Sequence, residues 1–466
     1  MAPRRPVKVI ESCRIGPPKG SITSTSAILP LTFFDLVWLP LPTPQLLYYY
    51  DFPQPLTQFT ESFLPHIKHT LSLALSICYP LAGNLSWPHD SYKPIVKYID
   101  GDSISFTVAE SDANFYRLSS NNAKDPEELH PLVPHLPVSG SVVPVSAIQA
   151  TVFPNSGICI GITIHHSIVD GRSLTHFMKI WASISRLGDA GNAGGESLSN
   201  ESLPFLDRTV INDPNNIEKT YLKELVRFMG SKSESGSRIL KLMDVKLEPD
   251  MVRATFELNP TNIWRIKDFI LAQHEKTQPN RLSTFVAACA YAWVCLIKAE
   301  GKVIKSENPG MARLVVTVDC RARLDNPIPG TYFGNCVRGC VMTSERADLM
   351  RGDGVAVATE LIKEAMSGLR KGVLGGVEHV LSNLLKLESR RAFAAAGLMG
   401  FGIYETDFGW GRPKKVELVS NDRTGALFMR ESRDIDGGIE FDLVLHKQVM
   451  EAFAQEFYHG LQRSNL

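Results

Sequence analysis

The fold is decided by residues 157–185, GICIGITIHHSIVDGRSLTHFMKIWASIS, in which the spacing of the apolar residues changes once. From Gly157 to His165 isoleucine occupies every second position, as in a β-strand whose successive side chains point to opposite faces. From Ser173 the apolar residues instead recur at helical spacing along one face: Leu174, Phe177, Met178, Trp181 and Ile184. Residues 165–172, HHSIVDGR, are therefore a tight connection from a strand into a helix.

A change in composition divides the chain into two halves. Residues 187–204 are rich in Gly, Ser and Asn, and such a stretch cannot bury enough apolar surface to order itself. The length of 466 residues allows two or three domains at roughly 100–200 residues each. We predict an N-terminal domain at 1–187, a crossover linker at 188–225 and a C-terminal domain at 226–466.

Both halves are expected to mix helices and strands. A helix in the first half ends at YPLAGNL, 79–85, where Pro and Gly stop it. The second half is expected to contain a buried helix at 281–298, capped by Ser283 or Thr284 because a hydroxyl there can accept an unpaired amide hydrogen. Strands are predicted at 314–319 and on both sides of 436–438, and a last helix at 449–461.

The charge balance excludes some classes of partner. Lys plus Arg and Asp plus Glu number 49 each, and no basic block could follow a phosphate backbone, so we expect no nucleic-acid partner. The beginning, MAPRRPVKVIESCRIGPP, has no apolar stretch after its arginines, and the longest uncharged apolar run, 285–297, is too short to span a bilayer. We expect a cytosolic chain without a membrane partner.

A metal site is the first alternative for His165, His166 and Asp170, because imidazole and carboxylate are common ligands. Adjacent side chains at the end of a strand point to opposite faces, so the two histidines do not easily converge on one ion. The eight cysteines lack the paired CxxC spacing of a zinc site, and buried, reduced thiols are the simpler interpretation. We therefore expect no metal.

A general base is the second alternative, because an imidazole at the end of a strand can project into a cleft while the backbone holds it. His166 suits this role better than His165. Asp170 and Gly171 follow where the chain turns into the helix, and the carboxylate could brace that turn. A lone histidine is more often an ordinary structural residue, so this hypothesis depends on further motifs.

Two motifs resemble those of the BAHD acyltransferases of plants, in their order and approximate separation. They are His166-x-x-x-Asp170-Gly171 and Asp407-Phe408-Gly409-Trp410-Gly411. The likeness extends along the chain through PLTFFD at 30–35, YPLAGN at 79–84, LSTF at 282–285 and DCRAR at 319–323. YFGNC, 332–336, resembles the clade that acylates anthocyanins and other phenolic glucosides, which includes both malonyltransferases and hydroxycinnamoyltransferases.

The resemblance implies an α/β fold with mixed sheets, similar to chloramphenicol acetyltransferase. Two domains of similar size, each a mixed sheet flanked by helices, would enclose a channel that reaches the histidine from both ends. The implied enzyme binds no cofactor, uses an acyl-coenzyme A as co-substrate and acts as a monomer. Its acceptor would be a phenolic, flavonoid or anthocyanin glucoside.

The resemblance also carries over residue roles. It makes His166 the base, and it pairs the Asp170 carboxylate with Arg321 so that the loop of the base is fixed. Asp407 is a catalytic candidate by analogy, although a carboxylate in a DFGWG turn is more simply a fold-holding element. The remaining residues with a structural role are Gly171, Gly409, Trp410 and Gly411.

Substrate contacts are carried over in the same way. Lys267, Ser283 and Thr284 would bind coenzyme A, since a cation and hydroxyls suit phosphates and pantetheine amides; a solvated lysine and an ordinary helix cap are the alternatives. A malonyl carboxylate would need an arginine, whereas a hydroxycinnamoyl donor would need an apolar slot, and we favour malonyl. The candidates for the acyl and acceptor pocket are Arg172, Tyr332, Phe333, Asn335 and Arg338.

The expected chemistry is direct transfer in a ternary complex. A neutral imidazole that removes the proton of a sugar hydroxyl contributes about two to four powers of ten in rate. A thiolate leaves readily, and no GxSxG elbow or placed Cys/His pair suggests an acyl-enzyme. Two other classes remain: condensation of carrier-bound thioesters, which normally accompanies carrier modules that this chain lacks, and a non-catalytic binding protein on a decayed scaffold, which an intact His166 and DFGWG oppose.

Overall fold

A computed structural model describes residues 6–22, 26–187, 203–245, 247–273, 282–304, 310–369, 372–386, 393–397 and 399–462. Its strands are β1 (Lys8–Ile15), β2 (Ser26–Pro30), β3 (Gln45–Asp51), β4 (Asn84–Ser86), β5 (Ile95–Ile99), β6 (Ile104–Glu110), β7 (Val142–Pro144), β8 (Ser146–Phe153), β9 (Gly157–Ile164), β10 (Met251–Leu258), β11 (Met311–Asp319), β12 (Val337–Glu345), β13 (Phe393–Gly397), β14 (Lys415–Leu418), β15 (Leu427–Glu431) and β16 (Ile439–His446). Its α-helices are α1 (Phe33–Leu36), α2 (Leu56–Gln58), α3 (Leu64–Ile77), α4 (Phe115–Leu118), α5 (Gly171–Leu187), α6 (Ile217–Met229), α7 (Pro260–Ala272), α8 (Thr284–Val303), α9 (Arg346–Met350), α10 (Gly354–Gly368), α11 (Val380–Lys386), α12 (Asn421–Thr424) and α13 (Lys447–Gln462).

The N-terminal sheet is mixed and has six strands in the order β1-β6-β8-β9-β3-β14. β6 and β8 are parallel, and the other neighbours are antiparallel. The isoleucines of β9 share a core with α3 and α5, whereas Cys159 on the opposite face belongs to a smaller apolar cluster that includes Phe115 and Leu132. β9 is therefore buried on both faces. Gly161 is required there, because a Cβ would lie 2.4 Å from the carbonyl oxygen of Leu132.

The C-terminal sheet is also mixed, with the order β10-β16-β15-β13-β11-β12. β13 runs parallel to β11 and to β15, and the other neighbours are antiparallel. Four helices pack with this sheet in a second core: α7, α8, α10 and α13. A four-stranded antiparallel sheet, β2-β5-β4-β7, completes the N-terminal half.

α8 corrects two sequence predictions. It is 20 residues long, and by length and composition it could cross a membrane. The prediction that this apolar segment is too short to span a bilayer was therefore wrong. Most of its apolar window is buried in the C-terminal core, which explains its composition. Ser283 occupies the N-cap position without a side-chain capping hydrogen bond. The Thr284 hydroxyl instead accepts a hydrogen bond from Lys267 Nζ at 2.9 Å.

The two halves are interleaved. Residues 188–202 of the predicted linker lie outside the described residues. The rest of the predicted linker is described and packs on the N-terminal core through α6. β14, from the C-terminal half, pairs with β3 at the edge of the N-terminal sheet. Buried ion pairs connect β14 to the C-terminal sheet, with Lys415 3.2 Å from Glu440 and Glu417 3.2 Å from Arg253. The exact domain boundaries stay a prediction.

Candidate active site

The connection between β9 and α5 gives its two histidines different environments. His165 is 1% exposed, and its Nδ1 lies 2.9 Å from the Ser167 hydroxyl. His166, the next residue, is partly exposed. Among the described residues, no three His, Cys, Asp or Glu side chains form a group that could hold a metal ion. Of these two histidines, His166 is therefore the one with a side chain that is not fully buried.

The His166 imidazole stacks on the indole of Trp38. The ring centroids are 4.0 Å apart and the ring planes differ by 14°. Burial lowers the pKa of His166 to about 4, and the backbone of the loop, the Asp170 charge and the Asn335 side chain oppose this only in part. The ring is consequently uncharged near neutral pH, as a general base must be. Trp38 was missed from the sequence, although it follows PLTFFD closely.

Asp170 anchors the loop to the C-terminal half. Its carboxylate lies 2.8 Å from Arg321 Nη2, which is the ion pair that the resemblance implied, and both side chains are 2% exposed. The same carboxylate accepts hydrogen bonds from the amides of Ser173 at 3.0 Å and Cys336 at 3.1 Å. A carboxylate with these partners fixes the loop geometry.

A second anchor was not recognised from the sequence. The Asn335 side-chain amide donates to the carbonyl oxygen of His166 at 2.9 Å and to Asp35 Oδ1 at 3.0 Å. Arg208 forms a 2.5 Å ion pair with Asp35 and donates to the Ile168 carbonyl oxygen at 3.2 Å. The available signal was a charged residue, Asp35, within an apolar segment. Asp35, Arg208 and Asn335 therefore hold the loop from both halves.

The YFGNC segment supports the loop and is not an exposed acyl or acceptor pocket. Tyr332 is 1% exposed, and Phe333 and Asn335 are fully buried. The Tyr332 ring lies 5.6 Å from the guanidinium of Arg208 and 5.7 Å from that of Arg321. The burial of Tyr332 and Phe333 thus contradicts their assignment to an acyl or acceptor pocket. Asn335 instead donates a hydrogen bond to the backbone of His166.

The two candidate arginines have different partners. Arg338 Nη1 donates to the carbonyl oxygens of Val373 and, at 3.1 Å, Gly375, and the assignment of Arg338 to the acyl and acceptor pocket stays a prediction. Arg172, on the first turn of α5, has a side chain that is 43% exposed and forms one ion pair, at 3.1 Å, with Asp319. Its guanidinium also lies 5.6 Å from the Phe401 ring. The guanidinium of Arg172 can therefore bind an anionic ligand.

The DFGWG segment is a turn closed by its own aspartate. Asp407 Oδ1 accepts hydrogen bonds from the amides of Gly409 and Gly411, each at 2.8 Å. Both glycines have positive φ, 99° and 92°, which other residues rarely adopt. The Trp410 ring packs among aromatic rings of the N-terminal half: Tyr50, Phe52 and Phe63. The geometry favours the structural role of this turn.

The coenzyme A candidates lie near the beginning of α8. Lys267 and Thr284 form the hydrogen bond described above, and burial lowers the pKa of the lysine. Ser283 lines a cavity of about 920 Å³ that Arg323 and Lys363 also line. Three carboxylates border the same cavity: Asp325, Glu360 and Glu364. The three candidates are therefore close together, beside a cavity of mixed charge.

Comparisons with known proteins agree with this arrangement. The model of the Transferase family matches residues 5–460. Phenolic glucoside malonyltransferase 1 of Arabidopsis thaliana is 35% identical over 471 residues, with 98% of each chain covered. Coumaroyl-CoA:anthocyanidin 3-O-glucoside-6''-O-coumaroyltransferase 1 of the same plant is 35% identical over 480 residues, also with 98% of each covered.

A solved structure supports the fold. F. graminearum TRI101, complexed with coenzyme A and deoxynivalenol, matches with a TM-score of 0.67 at 13% identity, covering 93% of this chain and 98% of that chain. This likeness confirms the predicted fold class, two mixed sheets with flanking helices. With the family match over nearly all residues and relatives at 35% identity, the chain belongs to the Transferase family, the BAHD group, and is an acyl-CoA-dependent acyltransferase.

Proposed function

We propose that the enzyme transfers a malonyl group from malonyl-CoA to a hydroxyl of a phenolic, flavonoid or anthocyanin glucoside. The observation that carries the donor assignment is Arg172, whose side chain is 43% exposed on the first turn of the helix that follows the loop of the base. A guanidinium binds a carboxylate through two parallel hydrogen bonds, which suits the free end of a malonyl group. The malonyltransferase at 35% identity supports this assignment.

His166 removes the acceptor's proton in this proposal. As the hydroxyl oxygen attacks the thioester carbonyl, the imidazole takes the proton, and the collapse of the intermediate breaks the carbon–sulfur bond. The thiolate leaves with the bonding electrons and receives the proton from the imidazolium. A thiolate needs little assistance as a leaving group, since a thiol of this kind has a pKa of about 8.5.

Transfer is direct, without an acyl-enzyme. A cysteine nucleophile would have to ionise, but burial raises the pKa of Cys289 and of Cys320 to about 12. The eight cysteines are free, which supports a reducing compartment, and we propose the cytosol. We further propose a monomer, because one chain supplies both anchors of the base.

Coenzyme A is proposed to bind beside Lys267, Ser283 and Thr284. The lysine ammonium and the threonine hydroxyl are already 2.9 Å apart, so phosphate oxygens would meet a preformed donor pair. The cavity lined by Ser283 offers the volume for part of the nucleotide. Arg323 and Lys363 provide further positive charge on its wall.

A hydroxycinnamoyl donor is the second candidate. The coumaroyltransferase is as similar to the chain as the malonyltransferase is, at 35% identity. The ring of Phe401 beside Arg172 would offer an apolar surface to a coumaroyl group. This donor would use the same base and the same coenzyme A site.

Mass spectrometry of the product separates the candidates. The purified protein is incubated with malonyl-CoA or coumaroyl-CoA and a panel of flavonoid and anthocyanin glucosides. We expect malonylated glucoside, and none with His166→Ala. Coumaroylated glucoside alone would refute the malonyl donor, and no product with any pair would favour a non-catalytic binding protein.

A further inference from the structure

Trp38 covers one face of the base. Its indole and the His166 imidazole are nearly parallel, with centroids 4.0 Å apart. Both side chains are partly exposed, so the stacked pair borders solvent and is not a fully enclosed core contact. Any ligand that reaches the free edge of the imidazole will therefore lie near the indole.

The indole and the base are held by one hydrogen-bonded unit. The Trp38 amide donates to the Asp35 carbonyl oxygen at 3.1 Å, in the turn that follows α1. The Asp35 carboxylate accepts from Asn335, whose amide also donates to the His166 carbonyl oxygen. The backbone that carries the indole and the loop that carries the base are thus fixed relative to each other.

Hydrogen bonding does not explain why this position holds an indole. Trp38 Nε1, like the indole nitrogens of Trp181 and Trp293, is buried and forms no hydrogen bond within the described residues. A buried N–H without a partner is unfavourable, and phenylalanine could fill similar space without that N–H. The feature that remains is the large electron-rich face presented to the imidazole.

We propose that Trp38 is a positioning residue, which fixes the plane of the His166 ring and stabilises the imidazolium that forms when the ring takes the acceptor's proton. An aromatic face attracts a cation, and an indole does so most strongly. The cation exists only once proton transfer has begun, so the stabilisation is greater in the transition state than in the ground state. The effect should consequently lie in kcat and not in KM.

This inference rests on the proposed role of His166 but not on the identity of the donor. The test uses the donor and acceptor that the wild-type enzyme turns over, so an enzyme specific for another donor refutes only the malonyl assignment. Trp38→Leu removes the aromatic face, and Trp38→Phe keeps a ring without the N–H. Trp87→Leu is the matched control, because Trp87 is a buried indole of the same core, beneath Arg238 at 5.1 Å.

We expect Trp38→Leu to lower kcat about tenfold or more, with KM within about twofold, and Trp38→Phe to restore most of the loss. Trp87→Leu should lower the melting temperature with little change in kcat. If Trp38→Leu does not fold, Trp38→Met replaces it. The proposal would be overturned if Trp38→Leu kept the wild-type kcat or changed only KM. It would also be overturned if Trp38→Phe were as impaired as Trp38→Leu, or if Trp87→Leu lost as much kcat as Trp38→Leu.

Discussion

The carboxylate of Asp170 lies 2.8 Å from the guanidinium of Arg321, although 151 positions separate them in the chain. Through this pair the loop that carries His166, in the N-terminal half, depends on a residue of the C-terminal half. Arg321 Nη2 also donates to the carbonyl oxygens of Tyr332 and Gly334, each at 3.0 Å. The base is therefore positioned by the association of the two halves.

Neutralising Asp170 should reduce stability and activity together. Removing one charge of a buried ion pair costs about 3–5 kcal/mol, and Asp170→Asn should lie near the lower end because the amide retains some hydrogen bonds. Chemical denaturation and initial rates measure the two effects. Asp348→Asn is the control, since its pair with Arg351 is exposed and should be worth less than about 1 kcal/mol. A kinetic defect at unchanged stability would show that Asp170 has another role.

Arg172→Ala should separate the two donors. Loss of a charged hydrogen-bonding partner costs about 1.5–3 kcal/mol, so kcat/KM for malonyl-CoA should fall about tenfold or more. Coumaroyl-CoA is the internal control, because it lacks the carboxylate that Arg172 would bind. Steady-state kinetics with both thioesters measures the ratio. An equal loss with both donors would assign Arg172 to the loop or to coenzyme A.

Asp407→Asn and Asp407→Ala should behave differently. The amide oxygen of asparagine can accept the hydrogen bonds from Gly409 and Gly411, so Asp407→Asn should keep most of the activity and the melting temperature. Alanine removes both acceptors and should destabilise the turn by about 1–3 kcal/mol. Near-complete inactivity of a normally folded Asp407→Asn would instead support proton acceptance by the carboxylate.

The pH dependence should follow the lowered pKa of the base. Because burial lowers the pKa of His166 to about 4, kcat/KM should stay level below pH 6.5 and fall only as the pH approaches 4. In the unfolded chain the histidine titrates near pH 6.5, whereas in the folded protein it stays neutral down to about pH 4. The unfolded state therefore binds more protons in this range, and the free energy of unfolding should fall between about pH 6.5 and 4. Initial rates after a rapid pH jump separate the two effects. An acid limb centred near pH 6.5 would contradict this environment for His166.

Periodicity and short motifs were sufficient to predict the elements around the base. The alternation of β9 and the helical spacing of α5 gave the strand, the turn and the helix, because local patterns determine local structure. The helix begins at Gly171, slightly before the apolar spacing shows it. The pair of Asp170 with Arg321 came from the family resemblance, since no local pattern joins residues this far apart.

Long-range contacts explain what the sequence could not show. Trp38 and Arg208 reach the loop of the base through tertiary packing, and although Trp38 closely follows PLTFFD, no local pattern shows which loop either side chain contacts. The opposite error occurred at Tyr332 and Phe333, where a motif that marks the clade was assigned to a pocket although its side chains are buried. A motif shows that residues matter, but their burial and partners decide what they do.

His166→Ala tests the central claim most directly. The transfer rate is measured with the donor and acceptor of the wild-type enzyme, and coenzyme A binding and the melting temperature are measured on the same preparation. We expect the rate to fall by about two to four powers of ten while binding and melting stay close to wild type. A well-folded alanine variant that still transfers the acyl group at a comparable rate would contradict the assignment of His166 as the base.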